Sequence, residues 1–274
     1  MYKKLIAGIL LAGVLIIGMT SFGFAQMSTL DEVLKRGVLR VGIMLDFPPL
    51  GFRDAEGNPK GYCVDLANLM AKALGVKLEI IETVSANRIP ALVAKRVDVS
   101  ISALTITPER AKVVNFASYP TYRSGMYILT KANRDDINSL FDCKGKTIGT
   151  VRGTTPEIAF LEYFKKFKKE DPNSKYISYD SNADQLLALR QGKVDAIAEN
   201  ILWFNEIMKK FPGQFKMVGP PFYQEWCTMA VRRGDLDWLH WINTWLWDLH
   251  VRGVIKELHE KWGIPYLPVA PTYK

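Results

Sequence analysis

Arg110 stands where a side chain can do chemistry. It closes the run Asp98-Val-Ser-Ile-Ser-Ala-Leu-Thr105-Ile-Thr107-Pro108-Glu109-Arg110, which reads as a strand, a tight turn and a helix start. Thr107 is a good N-cap, and Pro108 suits the first helical position, where a missing N–H costs nothing. A second run has the same grammar: Lys146-Thr-Ile-Gly-Thr-Val-Arg-Gly153-Thr154-Thr155-Pro156-Glu157, with Thr155 as the cap and Pro156 after it. A helix start offers unpaired N–H groups and about half a positive charge, so each turn is a potential anion site. The first adds the Arg110 guanidinium. If the fold turns the two turns toward each other, they clamp one small carboxylate between two half-proteins.

The surrounding elements must place those turns. Ser28-Thr-Leu-Asp31 begins a short helix that Gly37 can end. Val38 to Met44 reads as a strand, and Asp46 to Phe52 as a loop at its outgoing edge. Tyr62 to Leu74 carries Leu66, Leu69, Met70 and Ala73 at helical spacing and closes on Gly75. Lys77–Ile81 is a strand, Arg88–Lys95 a short helix, and Val97–Ser102 the strand that runs into the first turn. After Tyr127–Thr130 the pattern restarts: strand Thr147–Val151, helix Glu157–Phe167, strand Tyr176–Tyr179, helix Ala183–Gln191, strand Val194–Ala198. Alternation at this spacing indicates parallel α/β structure in two units. Their joins fall near Ser118–Arg123 and Val218–Phe222, both containing prolines.

A last helix is expected from Leu236 to about Leu258. Trp238, Leu239, Trp241, Ile242, Trp245, Leu246 and Leu249 fill one broad arc of it, as a core-facing stripe does. Trp247 falls on the opposite side. It either covers surface while half-buried or touches a partner.

Composition narrows the class. Lys3 and Lys4 precede an apolar run from Leu5 to Met19, and Gly23-Phe24-Ala25 follows before Gln26. That is the grammar of a cleaved signal peptide over residues 1–25, and the run is shorter than the roughly 20 apolar residues of a spanning helix. An uncleaved anchor is the alternative. Export and a periplasmic location follow. The formal charge of +8 is spread among acids, as in Phe164-Lys-Lys-Phe-Lys-Lys-Glu-Asp. That is a solvated helix face, not a nucleic-acid surface, although a basic protein favours an anionic ligand or an acidic docking partner. Cys63, Cys143 and Cys227 fit no metal motif. An oxidising compartment permits one disulfide among them, and three buried thiols is the equal alternative. The three histidines, His240, His250 and His259, are scattered, so neither a metal site nor a cofactor is expected.

An ordered set of motifs then carries a resemblance. Leu39-Arg-Val-Gly-Ile, Phe47-x-Pro49-x-x-Phe52, Gly61-Tyr-x-Val-Asp65-Leu and Ser102-Ala-Leu-Thr-Ile-Thr-Pro-Glu-Arg110 come first. Phe116-x-x-x-Tyr-x-x-x-Gly125, Gly153-Thr154-Thr155, Gly192-Lys-Val-Asp195-Ala and Val231-Arg-Arg-Gly-Asp235 complete it. From about Leu30 to Trp262 the chain resembles the family 3 periplasmic solute-binding proteins, which serve polar amino-acid ABC importers. The resemblance implies a two-lobed, hinge-connected α/β fold of the type II periplasmic-binding-protein class. Lobe 1 would hold residues 27–120 and 222–270, and lobe 2 residues 123–218. The default state of such a protein is a monomer, and its partner is the importer's permease.

Residue by residue, Arg110 matches the family's carboxylate-binding arginine and Thr105 its ligand-binding threonine. The Ala103 carbonyl sits where an ammonium is accepted. Thr154 and the N–H groups beside it match the lobe 2 carboxylate contact. Phe47 matches an aromatic wall, with Phe52 in support. Two positions depart from the pattern. Asn200 stands where the family places an aspartate for the α-ammonium; it also suits the cap of a helix over Ile201–Lys210. Ser85 replaces a second aromatic wall, leaving Asn87 and Arg88 to reach a polar or acidic side chain. The chain also has distant similarity to periplasmic cyclohexadienyl dehydratases, but Trp203 occupies the position of their essential glutamate. Glu199 or Glu206 would need an unexpected geometry to act as general acid instead. Two other readings therefore stand beside the importer protein: a prephenate or arogenate dehydratase, and a ligand carrier for a sensor.

Overall fold

A computed structural model describes residues 27–266. The signal-peptide reading therefore lies outside the described residues. In chain order the elements are α1 (Thr29–Arg36), β1 (Val38–Ile43), β2 (Asp46–Phe47), β3 (Gly51–Arg53), β4 (Pro59–Lys60), α2 (Tyr62–Leu74), β5 (Lys77–Glu82), α3 (Arg88–Val93), β6 (Val99–Ser100), α4 (Pro108–Ala111) and β7 (Val114–Phe116). There follow β8 (Tyr122–Lys131), β9 (Thr147–Val151), α5 (Thr155–Glu170), β10 (Lys175–Tyr179), α6 (Asn182–Gln191), β11 (Ala196–Asn200) and α7 (Ile201–Lys210). Last come β12 (Phe215–Cys227), β13 (Ala230–Arg232), α8 (Leu236–Val251) and α9 (Val254–Trp262).

Two five-stranded sheets form two lobes. The first has the order β5-β1-β6-β13-β7 and the second β10-β9-β11-β8-β12. β1, β5 and β6 are mutually parallel, as are β9, β10 and β11, so the α/β reading holds at both centres. The antiparallel members, β13, β8 and β12, belong to the segments that carry the chain between lobes. The outward crossing lies between Phe116 and Tyr122. The chain returns to the first sheet between β12 and β13. At Val218–Tyr223 β12 only shifts register against β8, and pairing then resumes as far as Cys227 opposite Tyr122. A bridge between Thr105 and Cys227 ties this end of β12 to the first lobe.

Local chemistry explains most boundaries. Ser28 caps α1, accepting from the Asp31 N–H, and Gly37 ends it at φ 68°. The long C-terminal helix is two helices, because Gly253 takes the left-handed conformation (φ 74°) and separates α8 from α9. Along α8 the rings of Trp238, Trp241 and Trp245 stack at 5.3 and 6.0 Å, with Trp238 fully buried. Trp247 is half-exposed and lies against Tyr119 of the outward crossing, 5.5 Å between rings. All three cysteines are buried free thiols, which selects the reading without a disulfide.

The segment between β1 and α2 folds into a small sheet, β2-β3-β4, that carries Phe47. Gly61 closes it at φ 124°, and a Cβ there would meet the Leu50 carbonyl oxygen at 2.5 Å. This backbone region is essentially reserved for glycine and costs other residues about 1–3 kcal/mol before any clash. Gly61→Ala is expected to lower the melting temperature by at least about 4 °C, whereas Gly57→Ala, with open space around its Cβ position, loses less. Equal losses in a thermal melt would contradict this account of the loop.

Candidate functional site

The two turns singled out by sequence do meet. Thr107 caps α4 with Pro108 at its first position, as expected. In the second turn the cap is Thr154, one residue earlier than expected, so Thr155 opens α5 and Pro156 is its second residue. The shift frees the Thr155 hydroxyl, which faces the other lobe. α4 is a single turn, so its contribution is the Arg110 side chain rather than a helix dipole.

Arg110 is buried at the junction. Its Nη1 donates to the Thr105 carbonyl oxygen and to Thr155 Oγ1, both at 3.0 Å, and its Nη2 donates to the Gly153 carbonyl at 3.2 Å. It makes no ion pair with Glu109 or Glu157. Glu157 instead accepts from the Gly153 N–H at 2.8 Å. Thr155 Oγ1 also bonds Thr105 Oγ1 at 2.7 Å. Gly153, at φ 74°, approaches the other lobe so closely that a Cβ would lie 3.1 Å from Ala86 Cα.

Thr105 continues the network. Its hydroxyl donates to Glu225 Oε2, and Glu225 Oε1 accepts from Asn200 Nδ2 at 2.5 Å. Asn200 caps α7 over the expected range, its Oδ1 accepting from the Leu202 N–H at 2.8 Å and from Ser124 Oγ at 2.6 Å. Glu199 Oε1 accepts from the Asn200 N–H at 2.9 Å and its Oε2 from Asn182 Nδ2 at 3.2 Å. A cavity of about 20 Å³ lies among these groups, walled on its apolar side by Met44, Phe47 and Met126.

Three charged side chains line this small space, Arg88, Glu199 and Glu225, and a fourth, Arg110, is bonded to the lining residues Thr105 and Thr155 beside it; all four are buried. Among the described residues none of the four enters an ion pair. Burial lowers Arg88 to about 10, with the neighbouring Arg110 charge adding to the effect, and burial lowers Arg110 as well. Burial raises Glu225, and burial with the Glu225 charge beside it pushes Glu199 up to about 8. Burying an unpaired charge is costly, and each of the four groups is shifted toward its neutral form.

The expected residues divide. Thr105, Ala103, Thr154, Phe47, Asn200 and Arg88 border the cavity, and Arg110 is bonded to Thr105 and Thr155 beside it. Thr154 turns its hydroxyl onto the Val151 carbonyl at 2.6 Å and offers the helix start instead. Arg88 is not free to search for a ligand side chain: its Nε donates to the Ser85 carbonyl, and its Nη1 to the carbonyls of Ser102 and Ala103, both at 2.8 Å. The Ala103 carbonyl expected for an ammonium is therefore already engaged by Arg88.

Two expected residues stay away. Asn87 accepts from the Val84 N–H at 2.9 Å and closes its own turn. Phe52 packs edge-on against Trp262, 5.9 Å between rings, on the far side of the small sheet from Phe47. Trp203 is buried against Phe204, so no acid stands at that position.

Sequence reasoning missed Glu225, Thr155, Ser124, Met44 and Met126. For Glu225 a signal existed. It alternates with Cys227 and Met229, both fully buried, so a strand through them aims Glu225 inward.

The fold and cleft define a two-lobed, type II periplasmic-binding-protein architecture. The chain belongs to the bacterial extracellular solute-binding proteins, family 3, whose profile matches residues 39–265. It is 29% identical over 244 residues to the L-cystine-binding protein TcyJ of Escherichia coli, covering 89% of each chain. It is similar to the arginine-bound form of truncated ArgBP from T. maritima, at 35% identity and TM-score 0.74 over 80% of this chain and 99% of that one. It is also similar to the ancestral amino acid-binding protein AncCDT-1, a precursor of cyclohexadienyl dehydratase, at 36% identity and TM-score 0.76 over 86% and 99%.

The raised Glu199 carboxyl has a consequence for stability. Below its ordinary value of 4.5 it is protonated whether the chain is folded or not. Between 4.5 and about 8 the unfolded chain releases the proton and the folded chain holds it, so stability from this group falls as pH rises through that window. Glu199→Gln lacks this penalty. Its melting temperature is expected to gain on wild type steadily from pH 4.5 to 8; parallel curves would contradict the assignment.

Proposed function

We propose that this chain captures a polar amino acid between its two lobes and delivers it to the permease of an ABC importer. The observation that carries the reading is Arg110: a buried guanidinium bonded only to neutral oxygens, held between both lobes and beside the start of α5. A guanidinium meets a carboxylate with two parallel bonds, and the α5 N-terminus adds N–H groups from the other lobe. Thr105 and Thr154 line the same end. Phe47, Met44 and Met126 form a water-excluding wall for the ligand's carbon chain.

Because the carboxylate touches both lobes, binding favours the closed arrangement over the open one. The hinge is assigned to residues 117–121 and 227–229, with β1 to β7 and the chain from β13 onward as lobe 1 and β8 to β12 as lobe 2. The amino-acid class is supported by the ligands named for the relatives, L-cystine and arginine. The working form is the exported chain without residues 1–25, acting as a monomer in the periplasm.

The test is a thermal-shift panel of L- and D-amino acids, dicarboxylates and prephenate on refolded, signal-less protein. A ligand at a hundred times its dissociation constant adds about 2.7 kcal/mol, a rise of roughly 5–10 °C at this size. Arg110→Ala removes at least two charge-assisted hydrogen bonds of about 1.5–3 kcal/mol each and is expected to abolish the shift. A shift with prephenate alone, or an amino-acid shift that survives Arg110→Ala, would overturn the reading.

A further inference from the structure

Resting on that reading, we infer that Glu225 receives the ligand's α-ammonium, and that Asn200 is a positioning residue that holds Glu225 in place. Glu225 is almost fully buried, yet its carboxylate meets only neutral donors, the Thr105 hydroxyl and the Asn200 amide. Each carboxylate oxygen can accept two hydrogen bonds, so both keep capacity for an N–H donor. Glu225 also borders the cavity.

Its placement relative to Arg110 specifies which cation it takes. Arg110 bonds the backbone oxygen of Thr105, and Glu225 is bonded by the side-chain hydroxyl of that same residue. A buried cation and a buried anion are thus held one residue's breadth apart. That matches the two charges on a single α-carbon, not a carboxylate and a remote side-chain cation. Of the other two charged groups, Arg88 is met by three backbone carbonyls on its own lobe, and Glu199, which also borders the cavity, is bonded by the Asn200 N–H and the Asn182 amide.

Asn200 explains how a neutral residue serves here. Its Oδ1 is fixed by the Ser124 hydroxyl and the Leu202 N–H, which forces its Nδ2 toward Glu225. An aspartate at this position would set a second carboxylate against Glu225 in a buried space, which two like charges resist. Asparagine at the helix cap and glutamate on the crossing strand therefore work as a pair, with the negative charge moved from the first to the second.

The experiment is calorimetric titration of wild type, Glu225→Gln and Glu225→Asp. The probes are L-glutamine, L-arginine and L-cystine, each beside the analogue with hydrogen in place of the α-ammonium. The probe that wild type binds best is followed. Glu225→Gln is expected to weaken the amino acid at least 30-fold while the deaminated analogue changes less than threefold. Glu225→Asp, which withdraws the carboxylate by one methylene, is expected to show the same selective loss at about tenfold. The double variant Glu225→Gln with Asn200→Asp returns a carboxylate next door and is expected to recover amino-acid affinity at least fivefold. Equal losses for amino acid and analogue, or no loss for either, would overturn the assignment of Glu225. A double variant no better than Glu225→Gln would overturn the pairing with Asn200. If wild type binds none of the three amino acids, it is the amino-acid reading itself that fails.

Discussion

A guanidinium and a carboxylate, both buried and both tied to Thr105, set the terms for the rest of this molecule. Neither has an opposite charge bonded to it, so each carries a desolvation cost of several kcal/mol that a folded protein ordinarily avoids. The surroundings lower that cost with oriented neutral groups: carbonyls and hydroxyls toward Arg110, a hydroxyl and an amide toward Glu225. Polar groups fixed in a water-poor space interact strongly with whatever charge enters it. A ligand that supplies both missing charges releases the stored cost, and the energy released is available to hold the lobes together.

The fold is arranged so that this can happen at one place. Thr105 and Arg110 come from the end of the first sheet, Thr155 and Gly153 from the start of α5 on the second. Glu225 comes from β12, which leads back between the lobes. The Thr105–Cys227 bridge keeps the Glu225 strand registered to the Arg110 turn. Gly153 lets the lobes approach to backbone contact at Ala86. Hinge motion between rigid units needs only a few residues to change conformation, and the proposed hinge segments, 117–121 and 227–229, lie beside this network.

Much of this was legible in the sequence, because local rules governed it. The helix over Tyr62–Leu74 and the strand over Thr147–Val151 coincide with the elements found, since hydrophobic period and closing glycine agreed. Arg110 is marked by its turn and helix start, and Asn200 by its place in the family pattern, five residues after Asp195. What escaped depended on tertiary placement. The break at Gly253 was hidden by a continuous apolar stripe on both sides of it. Thr155 differed from its expected place by one residue, enough to exchange a capping hydroxyl for one that spans the cleft. Asn87 and Phe52 lay close in sequence to residues of the site, but a local turn and Trp262 claimed their side chains. Glu225 lies just past the expected join at Val218–Phe222, where no motif marks it and only alternation with buried neighbours gives it away.

The most direct test of the central claim is calorimetric titration of refolded wild type with its best amino acid and then with that amino acid's methyl ester. The ester keeps the ammonium and the side chain but removes the charge that Arg110 is held to meet. The account predicts that the ester binds at least 100-fold more weakly, two charge-assisted hydrogen bonds being worth about that much. Equal affinity for acid and ester would show that Arg110 does not read a carboxylate, and the account of this cleft would fail with it.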